Sequence, residues 1–367
     1  MRNDIARSSH AKDLTFTAAT LLTWAALMAA APGPAEAQHP AIRASEFLNE
    51  NAPYPQCHAS TIAEVAPGRL VAAWFGGTRE SAPDVAIWVT SFESGRWSEP
   101  VEAANGVQPD GTRHPTWNPV LFAVPGGPLR LFYKVGPSPR AWWGMVKTSA
   151  DGGRTWSDAA RLPSPVLGPI KNKPVVLADG TWLSASSTED SPTGWRAHVE
   201  RSQDAGRTWE FIGPIDKGSW NLEAIQGSVL FHRDGRLQSV GRTRSGVVFS
   251  TWSADGGRTW SPLEALGLPN PNAGTDAITL KDGRHLIVYN DAAPLPGTRG
   301  GKRYPLVIAL SADGACWNKA AVIEDNPLPE GYAYPAVIQT SDGLVHITYT
   351  WNRQRIKHVV VDPRQLQ

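Results

Sequence analysis

The chain has 367 residues, with 35 Lys and Arg set against 34 Asp and Glu, for a formal net charge of +1. That balance argues against nucleic acid or an anionic membrane surface as the main partner, because both are held by an excess of basic charge. Gly 34, Pro 31 and Trp 16, beside only 19% charged residues, describe a turn-dense β protein packed on aromatics.

The N-terminus reads as a secretory leader over residues 1–37. Arg2, Arg7 and Lys12 form a basic lead, Thr15 to Ala31 is apolar and uncharged, and Ala35-Glu36-Ala37 is a small-x-small cleavage site. Residues 38–367 are then one exported domain, expected to be secreted or periplasmic, free of the membrane and monomeric. Two cysteines could pair in such a compartment. However, Cys57 heads a predicted inner strand and Cys316 sits in a turn, so no bond between them is expected.

Along that domain, six pairs of apolar runs each fold about a Gly-containing turn, at Gly68, Gly127, Gly180, Gly235, Gly283 and Gly343. Two β runs around such a turn make a hairpin. A second repeat interleaves with the hairpins. Ser-Ala-Asp-Gly-Gly-Arg-Thr-Trp stands at Ser149–Trp156 and again at Ser253–Trp260, with close or worn copies at Ser202–Trp209, Ser311–Trp317 and Ser91–Trp97. The starts at 91, 149, 202, 253 and 311 are 58, 53, 51 and 58 residues apart, a period that signals one stacked unit. Asp then Gly suits a tight reversal, and the Trp is large enough to fill the wedge between adjoining sheets.

Six hairpins and five such turns give six four-stranded units, the last lacking a fourth strand. The start of the mature chain, around Ile42 to Phe47, can supply it and close the ring. The predicted fold is therefore all-β: a six-bladed β-propeller, its ring closed by the N-terminal strand.

In a propeller the first strand of each blade lines the central channel. Counting back about nine residues from each hairpin Gly falls at or beside His58, Asn118, Lys171 with Lys173, Gln226, Asp276 and Tyr334. The second strands end at the same mouth, bringing Arg79 and Asp84, Lys134, Glu189, Arg242 with Arg244, Asn290 with Asp291, and Trp351 with Arg353. Each residue alone is explained by a solvated strand end; together they form a polar cup that leans basic. Guanidinium groups match a carboxylate in a bidentate fork, so an acidic sugar is the expected ligand, with Trp142, Trp143 or Trp351 offering a face to the ring. The nine histidines include no His-x-x-x-His pair and the cysteines no Cys-x-x-Cys pair, so neither a metal nor a cofactor is expected.

The repeated Asp-centred turns, the six hairpins and the leader resemble the sialidase (neuraminidase) superfamily, in particular its bacterial BNR-repeat branch, over the whole mature chain. The resemblance implies a glycosidase with three arginines on the substrate carboxylate, a Tyr nucleophile activated by a Glu, and an Asp acid/base. Tyr334 matches the nucleophile, Arg242 and Arg303 the second and third arginines, and Asp84 the acid/base. Two positions depart from the pattern. His58 stands where the first arginine is expected, and Gln226 replaces the activating Glu, with Glu223 three residues upstream.

A Tyr hydroxyl needs a base near neutral pH, and Gln cannot accept a proton. Three routes stay open. His58 or Glu223 serves Tyr334 as base in a retaining glycosidase; His58 and Tyr334 carry out β-elimination on a uronate held by Arg242 and Arg303; or the cup binds an acidic glycan without turning it over.

Overall fold

The computed structural model describes residues 39–189 and 194–367; the expected leader over 1–37 lies outside the described residues. Six antiparallel sheets follow one another in chain order. The inner strands are Gln56–Ala66, Thr116–Ala123, Val175–Val176, Ala224–Phe231, Asp276–Thr279 and Tyr332–Gln339, which open blades 1 to 6. Each is followed outward by a hairpin partner and a third strand. In blade 1 two short strands, Arg96–Trp97 and Val101–Ala104, both pair with the third. The chain is a six-bladed β-propeller.

Blade 6 is completed as the sequence requires. Ile42–Phe47 pairs antiparallel with Arg355–Val361, from Ile42 opposite Val361 to Phe47 opposite Lys357. The first and last segments of the domain thus share one sheet, and the ring has no free seam there.

The repeated turns are staples. Asp151 Oδ1 accepts the backbone N–H groups of Arg154 and Thr155, each at 3.0 Å, and Oδ2 accepts the Thr155 hydroxyl at 2.6 Å. The same pattern recurs at Asp204 and Asp255. Asp313 accepts from Ala315 and Cys316. Each Gly after the Asp frees the reversal from a Cβ clash, and the indoles of Trp209, Trp260 and Trp317 donate to Gly206, Gly257 and Gly314 at 3.0–3.1 Å. Their ring faces pack in the apolar cores between blades. Cys57 is buried and Cys316 exposed, and both are free thiols. Burial pushes the Cys57 thiol up to about 12, so it stays protonated.

The worn first copy has no Asp and does a different job. The Trp97 indole donates to Glu46 Oε1 of the closing strand at 3.0 Å. Glu46 also meets His358 Nδ1 at 3.0 Å, and His358 Nε2 meets His346 Nδ1 at 2.9 Å. Burial, and then the neighbouring His358, push the His346 imidazole down to about 4. The hydrogen bond from His358 holds the Glu46 carboxyl below its usual range.

Both shifts act in one direction. A histidine with a depressed folded pKa takes up its proton more readily unfolded, so its stability is complete above the ordinary value of 6.5 and is lost as pH falls towards 4. That histidine should contribute about 3 kcal/mol of the stability lost across that window, by urea denaturation at pH 7 and pH 4. His346→Gln should shrink the loss by that share, the rest belonging to groups such as His285, which burial also pushes down to about 4; an equal loss in the variant would place the acid sensitivity elsewhere.

Candidate active site

The cup is built by one backbone device repeated around the ring. Inner and second strands slip register between His58 and Thr61, Trp117 and Val120, Ile225 and Ser228, and Ala333 and Ala336. Two residues are left unpaired at each slip, which is a β-bulge, and a bulge re-aims a side chain. The first of each pair has positive φ: Ala59 57°, Asn118 42°, Gln226 59° and Tyr334 51°. Lys171, ahead of the short inner strand of blade 3, has φ 68°. Left-handed backbone at a non-glycine residue costs on the order of 1–2 kcal/mol, so the surrounding blades must hold it.

The bulge of blade 6 brings Tyr334 to the centre. Its ring centroid lies 4.3 Å from that of His58, across the seam between blades 6 and 1. Arg242 Nη2 donates to Tyr334 Oη at 2.9 Å, while Nη1 donates to the Asn272 carbonyl at 3.2 Å. The Arg242 guanidinium carbon is 5.2 Å and that of Arg303 5.9 Å from the Tyr334 ring centroid. Neither arginine has a carboxylate partner among the described residues. Arg353 does: it contacts Glu80 at 2.5 Å and Glu330 at 3.3 Å.

His58 registers all of this charge. It is 2% exposed, its Nδ1 meets the Thr350 hydroxyl at 3.0 Å, and Nε2 has no partner among the described residues. Burial, then the cations Arg353, Arg303, Arg242 and Lys171, push its pKa well below 6.5. The imidazole is therefore neutral at neutral pH, an available but weak base.

Beneath Tyr334 lies a buried polar floor. Lys171 Nζ donates to Asn172 Oδ1 at 2.7 Å and to the carbonyls of Thr275 and Pro335 at 2.6 and 2.5 Å. Lys173 pairs with Asp276 at 2.9 Å, and Asp276 also accepts from Ser228 Oγ and the Val337 N–H, both at 2.8 Å. Gln226 is 1% exposed, and its Oε1 is buried with no partner among the described residues.

Other expected members sit elsewhere. Lys134 is buried between blades 2 and 3, donating to the Pro169 carbonyl at 2.7 Å. Glu223 pairs with Arg244 at 2.9 Å, and no contact joins it to Tyr334. Trp351 packs edge-on against Phe47 at 5.4 Å, on the closing strand. Asn118 is buried at its bulge. Arg79 is exposed but lines a cleft with His58, Phe75, Glu80 and Arg353. Asp84 is exposed; Thr78 bonds its Oδ2 through both hydroxyl and N–H, at 2.6 and 2.8 Å, and lowers its pKa.

Three residues of the cup escaped the sequence reading. Trp195 stacks between Arg242 at 4.8 Å and Arg244 at 4.2 Å. Glu80, next to Arg79, neutralises Arg353, and Thr350 orients His58. Only the alternation of the second strands, which points Thr350 to the channel side, could have signalled one of them. Burial raises the pKa of Glu189, against the pull of Arg242 and Arg244.

Residues 68–347 match the profile of the BNR repeat-like domain. The chain belongs to that family. No curated protein matches the sequence. Among solved structures, a protein of unknown function from Dyadobacter fermentans aligns with TM-score 0.70 and 18% identity, covering 88% of this chain and 99% of that one. The Hadza microbial sialidase Hz136 aligns with TM-score 0.74 and 16% identity, covering 89% and 70%. The intramolecular trans-sialidase of Ruminococcus gnavus, in complex with oseltamivir carboxylate, gives TM-score 0.64 and 12% identity, covering 88% and 97%. The BNR domain therefore has a sialidase-like propeller fold. At these identities the likeness speaks for the fold alone.

Proposed function

We propose that this BNR propeller is an exported, exo-acting glycosidase that removes a terminal acidic sugar from a glycan. The observation that carries the reading is the pair of arginines, Arg242 and Arg303, set over Tyr334 with no carboxylate partner among the described residues. A guanidinium as well buried as that of Arg242, with hydrogen bonds to neutral oxygens alone, is completed by an anion, and a sugar carboxylate fits its fork. Arg353, already shared with Glu80 and Glu330, adds field to the same cup.

In this reading Tyr334 Oη attacks the anomeric carbon while its proton passes to neutral His58. The bond to the leaving oxygen breaks, and that oxygen takes a proton from a carboxylic acid; water then displaces the tyrosyl oxygen from the sugar, giving its proton to the carboxylate so formed, while Tyr334 recovers its own proton from His58. Asp84 and Glu189 are the two candidates, and Glu189 is the one whose burial favours the protonated form. The arriving substrate carboxylate offsets the cations around His58 and so strengthens it as a base.

A second reading draws on the same imidazole. Among the described residues no carboxylate contacts Tyr334, and His58 is neutral with no partner at Nε2. Those two groups suit β-elimination, with His58 taking the proton α to a uronate carboxylate and Tyr334 protonating the leaving oxygen. The products separate the readings. Sialosides, Kdo-type glycosides and terminal uronate oligosaccharides should be followed by mass and by ultraviolet absorbance. A free acidic sugar without new absorbance is expected; an unsaturated uronate would establish the lyase. No turnover of any acid-terminated glycan would overturn both.

A further inference from the structure

The ammonium of Lys171 is nearly inaccessible, at 2% exposure of the residue. One of its hydrogen bonds nevertheless ends on the backbone beside Tyr334. One goes to the carbonyl of Pro335, the residue directly after Tyr334 in the bulge, and another to the carbonyl of Thr275. The third stays in its own blade, on Asn172, which in turn donates to the Gln226 carbonyl at 2.8 Å. One charged group thus ties the bulges of blades 4 and 6 to the start of blade 5. Three acceptors require three N–H donors, which only the protonated amine has.

We propose that Lys171 is a positioning residue for Tyr334, its ammonium holding the left-handed bulge from which the tyrosine hydroxyl is presented to Arg242. The inference rests on the reading of Tyr334 as the reacting group. Packing supports it: a Cβ placed on Gly274 would come within 3.0 Å of Lys171 Cε and 3.2 Å of Tyr334 Cδ2, so lysine stem and tyrosine ring share one wall of glycine backbone. A tyrosine at φ 51° does not hold that conformation unaided.

The arrangement is also sensitive to pH. Burial lowers the Lys171 pKa to about 7; Asp276 acts to raise it, and Lys173 and Arg242 lower it further. Facing it are Asn172 and Lys173 from blade 3, Arg242 from blade 4, Thr275 and Asp276 from blade 5, Tyr334 from blade 6 and His58 from blade 1. Loss of its proton removes one of the three bonds, so kcat should fall as pH rises through neutrality.

The test compares Lys171→Met and Gly274→Ala with the full-length wild type. In a crystal structure of Lys171→Met the contact between Tyr334 Oη and Arg242 is expected to be lost. On the substrate found in the panel above, kcat should drop about 100-fold, the scale of a misplaced reacting group, with KM within about threefold. The residual rate should be flat through the pH range in which the wild type declines. Gly274→Ala keeps the ammonium and pushes the ring, so it should lower kcat about tenfold without a change in pH profile, and it carries the test should Lys171→Met not fold. An unmoved Tyr334 with wild-type kcat in either variant would overturn the proposal. Should the wild type turn over no glycan, the proposed function fails, while the tyrosine's position in the two variants still decides what Lys171 does.

Discussion

Tyr334→Phe should abolish turnover, with kcat reduced at least about 1,000-fold and the fold intact. The substitution removes a single oxygen, whose recorded partner is Arg242 Nη2 at 2.9 Å. The ring, 8% exposed, keeps its packing against His58 and its place in the apolar core with Ala59, Val71 and Ala333. Loss of one hydrogen bond to a charged donor should therefore change stability by no more than about 1.5–3 kcal/mol. Arg242, Arg303 and Arg353 stay in place, so affinity for a carboxylate sugar should fall by no more than a few fold. Both enzymatic readings need the hydroxyl, as nucleophile in one and as proton donor in the other. Turnover within tenfold of the wild type would remove Tyr334 from the chemistry and leave the cup as a binding site. Calorimetry with the free acidic sugar, run on the same variant, separates lost chemistry from lost binding.

Asp276→Ala should lower stability by about 3–5 kcal/mol, the usual cost of removing one partner from a buried ion pair. Asp276 is 2% exposed and receives hydrogen bonds from four blades: Lys173 from blade 3, Ser228 from blade 4, Ala277 of its own blade and the Val337 N–H of blade 6. Burial acts to raise its pKa, but Lys173 and Lys171 prevail and hold it below the ordinary carboxylate range. Without it, two ammonium groups share the channel floor with no nearby counter-charge. Asp276→Asn should be almost as harmful, because its amide cannot accept at both oxygen positions and restores no charge. Urea denaturation at pH 7 measures both. A loss under about 1 kcal/mol for either variant would show that the blades are held by their apolar contacts and need no axial carboxylate.

Much of this architecture is written in short-range pattern. The Gly turns, the Asp-Gly staples and the missing sixth-blade strand are local chemistry or simple counting, so the ring and its closure by Ile42–Phe47 could be read before any coordinates. Counting nine residues back from the hairpin glycines lands at 59, 118, 171, 226 and 334, and each of those residues has positive φ. The rule works because hairpin length is set by the two strands, and the bulge falls one fixed rung from the turn. In blade 5 it lands on Gly274, while the left-handed residue is Asn272.

What each cup side chain touches was beyond such counting. Lys134, Glu223 and Trp351 have the right chemistry at the right strand ends, yet they satisfy Pro169, Arg244 and Phe47. Trp195 and Glu80 carry no periodic signal and matter because Arg242 and Arg353 come to them. Sequence alone determined the blades, their order and which strand ends meet, since hydrogen-bonded turns and apolar alternation act over a few residues. Only the tertiary structure decided which charges share a partner and which stay open for a ligand, because Coulomb and desolvation terms depend on distances between blades that no local pattern encodes.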